Sequence, residues 1–371
     1  MPNINDYLSW RGDLSFAADP LNEVDALVFS VLAYLYMDGL VPESIDEAIR
    51  VHTLSNRYRA AGFDQTALIT DPSIALRSAR DTERIGQARV FAFRNTIDAD
   101  RLLQFSAVSF LLPGGEVFVA FRGTDDNIVG WREDVALVYN TTEGQRMAAR
   151  YLSYIGGLTS GRLYVGGHSK GGNFAEYAAA FCDSKVQERI LCVFSNDGPG
   201  LSKELTESDP YRRIADRILL IQPEGSVVGA LLSHGGKTRY IKSSEHGGIG
   251  QHHPYSWQVQ GGRFVYADAR SSSGALIDET VSKWVDSLSP YAVEQIEKAV
   301  FEPLGASGAE TLTQLSDKEN RLRSMNVILS AARGLDTETA RSVTESLKSL
   351  SVRYRDVLWD ETKKLFRKTD G

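Results

Sequence analysis

Residues 163–181, LYVGGHSKGGNFAEYAAAF, constrain this chain more than any other stretch. A short apolar run enters a glycine-packed turn, one serine stands at its centre, and an alanine-rich helical pattern leaves it. Within it Gly167-His168-Ser169-Lys170-Gly171 fits G-x-S-x-G. Where a strand turns sharply into a helix, side chains at the flanking positions would clash, and the turn lifts the serine hydroxyl clear of the sheet. The helix that follows presents the positive end of its dipole there, which favours an anion. A phosphate-binding loop, G-x-x-x-x-G-K-[ST], needs its lysine after the last glycine. Here Lys170 precedes Gly171, which excludes that reading.

The surrounding pattern supplies the sheet that such a turn needs. Phe105–Leu112 reads as a strand, Pro113-Gly114-Gly115 turns the chain, and Glu116–Phe121 returns. Short apolar runs recur at Leu163–Val165, Ile190–Phe194, Ile218–Ile221 and Thr238–Ile241, with a helical pattern at Gly172–Phe181 between the first two. Strands alternating with helices predict an α/β fold with a mostly parallel sheet covered on both faces. Upstream, Val24, Leu27, Val28, Val31, Leu32 and Leu35 keep helical spacing over Asn22–Leu35, with Asn22 able to cap the start. Residues 44–88 read as further helices. From about Ala275 the strand signal ends, and Val343, Leu347, Leu350, Tyr354 and Leu358 carry a helical repeat toward the end. The expected organisation is a mainly helical segment over 1–88, a core over 89–274 and a helical extension over 275–371.

Composition excludes more than it selects. A net charge of −7 gives no reason to expect nucleic acid or an anionic membrane as partner. The two cysteines, Cys182 and Cys192, make no disulfide framework and read as small core residues. The start, MPNINDYLSWRGDLSF, lacks a basic stretch followed by an apolar core, and the apolar stretch near Ala26–Met37 is too short and polar to span a bilayer. The expectation is a cytoplasmic protein without an integral membrane segment.

A serine needs a base, and the base needs an orienting acid. In this architecture the chain order is serine, acid, histidine. Three histidines, His246, His252 and His253, lie in EHGGIGQHHPYSW after the last strand, with His234 earlier. Adjacent histidines cannot both face one serine, so at most one of His252 and His253 is the base. Zinc held by His246, His252 and His253 is the rival reading, weakened by the lack of cysteine or carboxylate at ligand spacing. Two acids follow strands: Asp197 in SNDGPG, which is favoured, and Glu224 in IQPEGSVVG. Each could instead be an ordinary turn residue. An oxyanion donor is expected from Phe121-Arg122-Gly123-Thr124, where a strand ends and Thr124 offers both its N–H and its hydroxyl.

FRGT at 121–124, Trp131 and Asp134 in GWREDV, and GGHSKGG together resemble the class 3 (fungal-type) lipase group of α/β-hydrolases. There an R-G-[ST] loop supplies an oxyanion donor and G-H-S-x-G carries the nucleophile. NINDYLSWRGDL, LNEVDAL at 21–27, SNDGPG, GSVVGALLSH and GQHHPYSW further resemble a bacterial Mbeg-like family of lipase-related proteins of undefined role, over about residues 3 to 310. The resemblance implies Ser169 as nucleophile and His252 as base. It departs twice from the class 3 pattern. Where those lipases place an acid in D-x-V, this chain has Ser226-Val227-Val228, which moves the acid to Asp197 or Glu224. Lys170 stands where many lipases carry an apolar residue.

The expected activity is cleavage of a carboxylic ester, small or lipid, through an acyl-enzyme on Ser169. His252 (alternatively His253) is the base and Asp197 (alternatively Glu224) the acid. Backbone N–H groups of Thr124 and Lys170, with the Thr124 hydroxyl, hold the oxyanion, and no metal or cofactor takes part. A thioesterase, amidase or acyltransferase would use the same residues. A non-catalytic binding or scaffolding protein on the same fold is the rival of another class, and the C-terminal helices offer a surface for a homo-oligomer. The Lys170 side chain is free to reach solvent, or else meets a carboxylate or an anionic substrate.

Overall fold

A computed structural model of the chain describes residues 1–62, 71–125, 127–137, 140–245 and 248–271. The helical extension expected from 275 onward, and with it the surface for a homo-oligomer, lies outside the described residues. Eight strands form one sheet in sequential order: β1 (Ile49–Arg50), β2 (Arg89–Asp98), β3 (Leu103–Leu111), β4 (Val117–Phe121), β5 (Leu163–His168), β6 (Ile190–Asn196), β7 (Ile218–Pro223) and β8 (Lys237–Ile241). β1 to β4 pair antiparallel, and β4 to β8 pair parallel. The α/β sheet is therefore mixed, with its parallel half holding the serine turn.

The helices that frame this sheet include α1 (Ile4–Arg11), α2 (Glu23–Leu32), α3 (Val51–Ala60), α4 (Pro72–Ala79), α5 (Ile128–Ala136), α6 (Glu143–Leu158) and α7 (Lys170–Phe181). In a sequentially ordered parallel sheet, right-handed crossovers place every connecting helix on the same face. Accordingly α6 and α7 pack on one face, against Val119, Phe121, Val165, Val193 and Leu220. The opposite face, with Phe110, Phe118, Ala120 and Phe194, has no crossover helix to cover it. α2 fills that role.

Asn22 starts α2 as expected, accepting from the N–H groups of Val24 and Asp25 while Asp25 returns a bond to the Asn22 N–H. All ten residues of α2 are buried, and Phe29 lies with its ring 4.8 Å from that of Phe110 and 4.9 Å from that of Phe118. The helix stops at Leu32, short of Leu35, and turns carry the chain onward.

Strands β1 and β2 correct the sequence reading. β1 lies inside the stretch read as helical, and at two residues it has no periodicity to detect. β2 breaks its own alternation: Ala92 takes φ 54°, the register shifts between Phe91 and Arg94, and burial fades from buried to half-buried along the strand. A bulge of this kind moves side chains from one face to the other. Cys182 and Cys192 are free and half-buried rather than core, and burial pushes each thiol up to about 12, so both stay protonated.

A buried ion pair fastens the N-terminal helices together. Arg84 donates to both oxygens of Asp25 at 2.7 and 2.6 Å and to Tyr7 Oη, with neither charged side chain exposed. Its remaining donors reach the carbonyls of Leu14, Asp19 and Pro20. Removing one member of such a pair leaves a buried charge uncompensated. Arg84→Met is expected to lower the unfolding free energy in urea by about 3–5 kcal/mol. Adding Asp25→Asn should recover part of that loss.

Candidate active site

β5 delivers Ser169 at its C-terminal end, and α7 begins at the next residue. Ser169 has φ 59° and ψ −134°, a positive-φ conformation disfavoured for a side-chain-bearing residue and characteristic of strained functional turns. Gly167 makes the turn possible, since a Cβ there would lie 2.2 Å from the Gly171 backbone. Ser169 is half-buried and so keeps access from outside. Its carbonyl accepts the Gly172 N–H at 2.8 Å, and as the first residue of α7 Lys170 has a backbone N–H without an intrahelical acceptor.

Asp197 follows β6, also at a positive φ of 50°. Its Oδ2 lies 2.7 Å from His252 Nδ1. The same oxygen accepts Ser226 Oγ–H at 2.5 Å, and Oδ1 accepts the Gly229 N–H at 3.1 Å. Both oxygens are thus engaged and the side chain is fully buried. A carboxylate only accepts, so His252 Nδ1 carries the proton and Nε2 keeps its lone pair. Ser226, the residue standing where an aspartate belongs in the D-x-V pattern, braces the acid from the loop after β7.

The loop bearing His252 is anchored on both sides. Trp257 is fully buried and donates Nε1–H to Gln251 O at 2.9 Å, while Tyr255 Oη donates to Asp71 O at 2.6 Å and accepts the Ala75 N–H of α4. His168, one residue before Ser169, stacks its ring 4.6 Å from that of His252 and places Nε2 2.9 Å from His252 O. Facing a carbonyl, that nitrogen must donate. Nδ1 is then the acceptor for Tyr34 Oη at 3.1 Å. Burial holds the His168 pKa well below the usual imidazole range, so it stays neutral.

The FRGT loop abuts the serine turn. A Cβ on Gly123 would meet Tyr34 Oη at 2.1 Å, His168 O at 2.5 Å and Ser169 Cβ at 3.0 Å. Thr124 is buried beside it, and its hydroxyl donates to Asp134 Oδ2 at 2.6 Å. The expectation that this hydroxyl joins its N–H in holding an oxyanion is corrected: its single proton is already given to Asp134. Arg122 lies buried against Asp125 at 3.3 Å and donates to Asn95 Oδ1 at 3.0 Å.

Of the readings open for the Lys170 side chain, the structure shows the one in which it meets carboxylates of the protein, and not solvent. It is 1% exposed, with Nζ 2.8 Å from Gln104 Oε1, 3.2 Å from Glu133 Oε2 and 3.7 Å from Asp134 Oδ1. The structure brings Ser169, Asp197, His252, Thr124 and Lys170 into one region and leaves the alternatives aside. Glu224 is half-buried, and among the described residues its carboxylate pairs with no histidine. His253 is half-buried with its ring 5.6 Å from that of Tyr255, and burial lowers its pKa. His246 lies outside the described residues, among which no group of three His, Cys, Asp or Glu is placed to hold a metal. Among the same residues no helix is long and apolar enough to cross a membrane.

Sequence patterns carried no signal for Tyr34, whose contacts with His168 are 134 positions away, nor for the role of Ser226. A cleft of about 960 Å³ over β6–β8 is lined by residues that include Arg11, Glu23, Phe194, Leu219 and Arg239, and Ser169, Asp197 and His252 are not part of its lining.

A strand–turn–helix serine on the parallel half of an eight-stranded mixed sheet, flanked by helices, defines a lipase-like α/β-hydrolase fold. The Mbeg1-like family profile matches residues 79–302, more than half of the sequence, and the chain belongs to that family. No curated protein matches it. Among solved structures it is similar to the native Rhizomucor miehei lipase propeptide complex at 15% identity, covering 50% of this chain and 63% of that one, with a TM-score of 0.33. It thus spans less than two thirds of that lipase. M37 lipase is 16% identical over 57% of this chain and 70% of its own, with a TM-score of 0.37. A mutant MDLA from Penicillium cyclopium is 13% identical over 67% and 87%, with a TM-score of 0.38.

Proposed function

We propose that the protein is a serine hydrolase that cleaves carboxylic esters through an acyl-enzyme on Ser169. The observation that carries this reading is the buried Asp197–His252 pair, 2.7 Å apart, stacked through His168 beside a serine in a strained turn. Ser169 Oγ attacks the acyl carbon and gives its proton to His252 Nε2, free because Nδ1 is bound to Asp197. The carbonyl oxygen takes the negative charge and is held by the backbone N–H groups of Thr124 and Lys170. His252 then protonates the departing alkoxide. Water, deprotonated by His252, cleaves the acyl-enzyme and releases the acid. Asp197 stays ionised throughout and stabilises each imidazolium that forms.

The substrate class is a neutral small or lipid ester, because Lys170, the cation next to the serine in sequence, is buried and paired with the protein's own carboxylates. A fluorophosphonate probe should label the wild type once, at Ser169, and leave Ser169→Ala unlabelled. A series of p-nitrophenyl esters of increasing acyl length should be hydrolysed by the wild type with one preferred length. An unlabelled wild type would remove the hydrolase reading in favour of a binding protein on the same fold.

A further inference from the structure

We propose that Lys170 is a positioning residue for the oxyanion loop: its buried ammonium keeps Asp134 as the carboxylate that fixes the Thr124 hydroxyl, so the serine-bearing helix and the donor loop move as one piece. This rests on the ester-hydrolase reading of the Ser169 site.

Lysine is seldom buried unless paired, and here one ammonium serves two carboxylates on adjacent residues of α5. Glu133 is saturated by other donors: Oε2 accepts the Gln104 N–H and Oε1 the Gly144 N–H, both at 3.1 Å. Asp134 is less well served. Its Oδ2 accepts from Thr124, while the buried Oδ1 has no hydrogen bond and faces Lys170 Nζ at 3.7 Å. Two negative charges therefore share one positive charge, and Asp134 is the weaker partner. Burial raises its pKa to about 6, and the charge of Lys170 is the largest influence opposing that rise.

The groups facing Asp134 come from every neighbouring element. Among the described residues they include Lys170 of α7, Glu133 of its own helix, Thr124 of the donor loop, His252 of the late loop, and Tyr34 after α2. Of these Lys170 is the cation in ion-pair reach. When Asp134 takes up a proton, the Thr124 hydroxyl loses its ionic acceptor and the loop loses its tie to α7. The Thr124 N–H then has no fixed aim at the oxyanion. Lys170 also cannot serve an anionic substrate, since Gln104, Glu133 and Gly130 O already surround Nζ.

The test compares wild type, Lys170→Met, Asp134→Asn and the double variant on one p-nitrophenyl ester, with kcat and KM measured across pH. In Lys170→Met, kcat should fall by about ten- to a hundredfold with KM changed little, as when aim at an oxyanion is lost. Losing the cation raises the Asp134 pKa further, so the acid limb of kcat should move upward by about one pH unit or more. Asp134→Asn removes that titration, and in the double variant the upward shift should vanish. An unchanged acid limb in Lys170→Met, or a shift that persists in the double variant, would overturn the proposal. If Lys170→Met does not fold, Asp134→Asn alone must move the acid limb downward, and an unmoved limb would overturn it equally. Should the wild type turn over no ester, the hydrolase reading fails instead. The Lys170–Asp134 coupling is then read from the carboxyl ¹³C titration of Asp134 with and without Lys170→Arg, whose larger head cannot keep the 3.7 Å approach unchanged. An identical titration would overturn it.

Discussion

Ser169→Ala is expected to lower kcat for a p-nitrophenyl ester by about five to six orders of magnitude, with KM within a few-fold of wild type. The alanine removes the attacking atom and nothing else that the fold uses. Ser169 is half-buried, and its backbone bonds, from N–H to Asn196 O and from the Gly172 N–H to its own carbonyl, survive the change. The thermal midpoint should therefore hold while turnover disappears. Residual hydrolysis of about 10³-fold over water is expected from the N–H donors alone. A variant that keeps even a tenth of wild-type turnover would remove Ser169 from the role of nucleophile.

Asp197→Asn should cost about 10⁴-fold in kcat, against less than about twofold for Glu224→Gln. The asparagine occupies the same volume, but it has one acceptor oxygen: placed where it keeps the Gly229 N–H, it turns its NH2 toward Ser226 Oγ and His252 Nδ1. What it loses is the charge, and with it the preference for a proton on His252 Nδ1. The imidazole then turns its other nitrogen's proton toward Ser169 and can no longer accept from it. Glu224 follows β7, where its backbone N–H bonds Ile241 O at 2.9 Å, and among the described residues its carboxylate has no histidine partner to lose. The reverse ranking of the two variants would sink Asp197 as the acid.

The elements legible in the sequence were those whose chemistry is local. Short apolar runs marked β3 to β8, Asn22 marked the start of α2, and the glycines around Ser169 marked the turn, because each depends on neighbours a few residues away. β2 was not legible, since the bulge at Ala92 disrupts the alternation that identifies a strand. The choice between Asp197 and Glu224 was open for another reason. Both follow strand ends on adjacent parallel strands, and only the tertiary path of the late loop decides which one a histidine reaches. For Lys170 the sequence leaves water and a carboxylate both open, because lysine ordinarily finds water. Its partners, Gln104 and Glu133, lie 66 and 37 positions away, beyond any local pattern.

The sequential order of the strands has a consequence for anyone shortening the chain. The family-matched region begins at residue 79, the last residue of α4. A fragment starting there would carry every crossover helix and the whole Ser169–Asp197–His252 set, yet present Phe110, Phe118 and Phe194 to water along one bare side of the sheet. It would also retain Arg84 while discarding Asp25, and lose Tyr34 from against His168. The N-terminal helices thus behave as a missing crossover supplied from upstream, and a trimmed version would aggregate before it could be assayed.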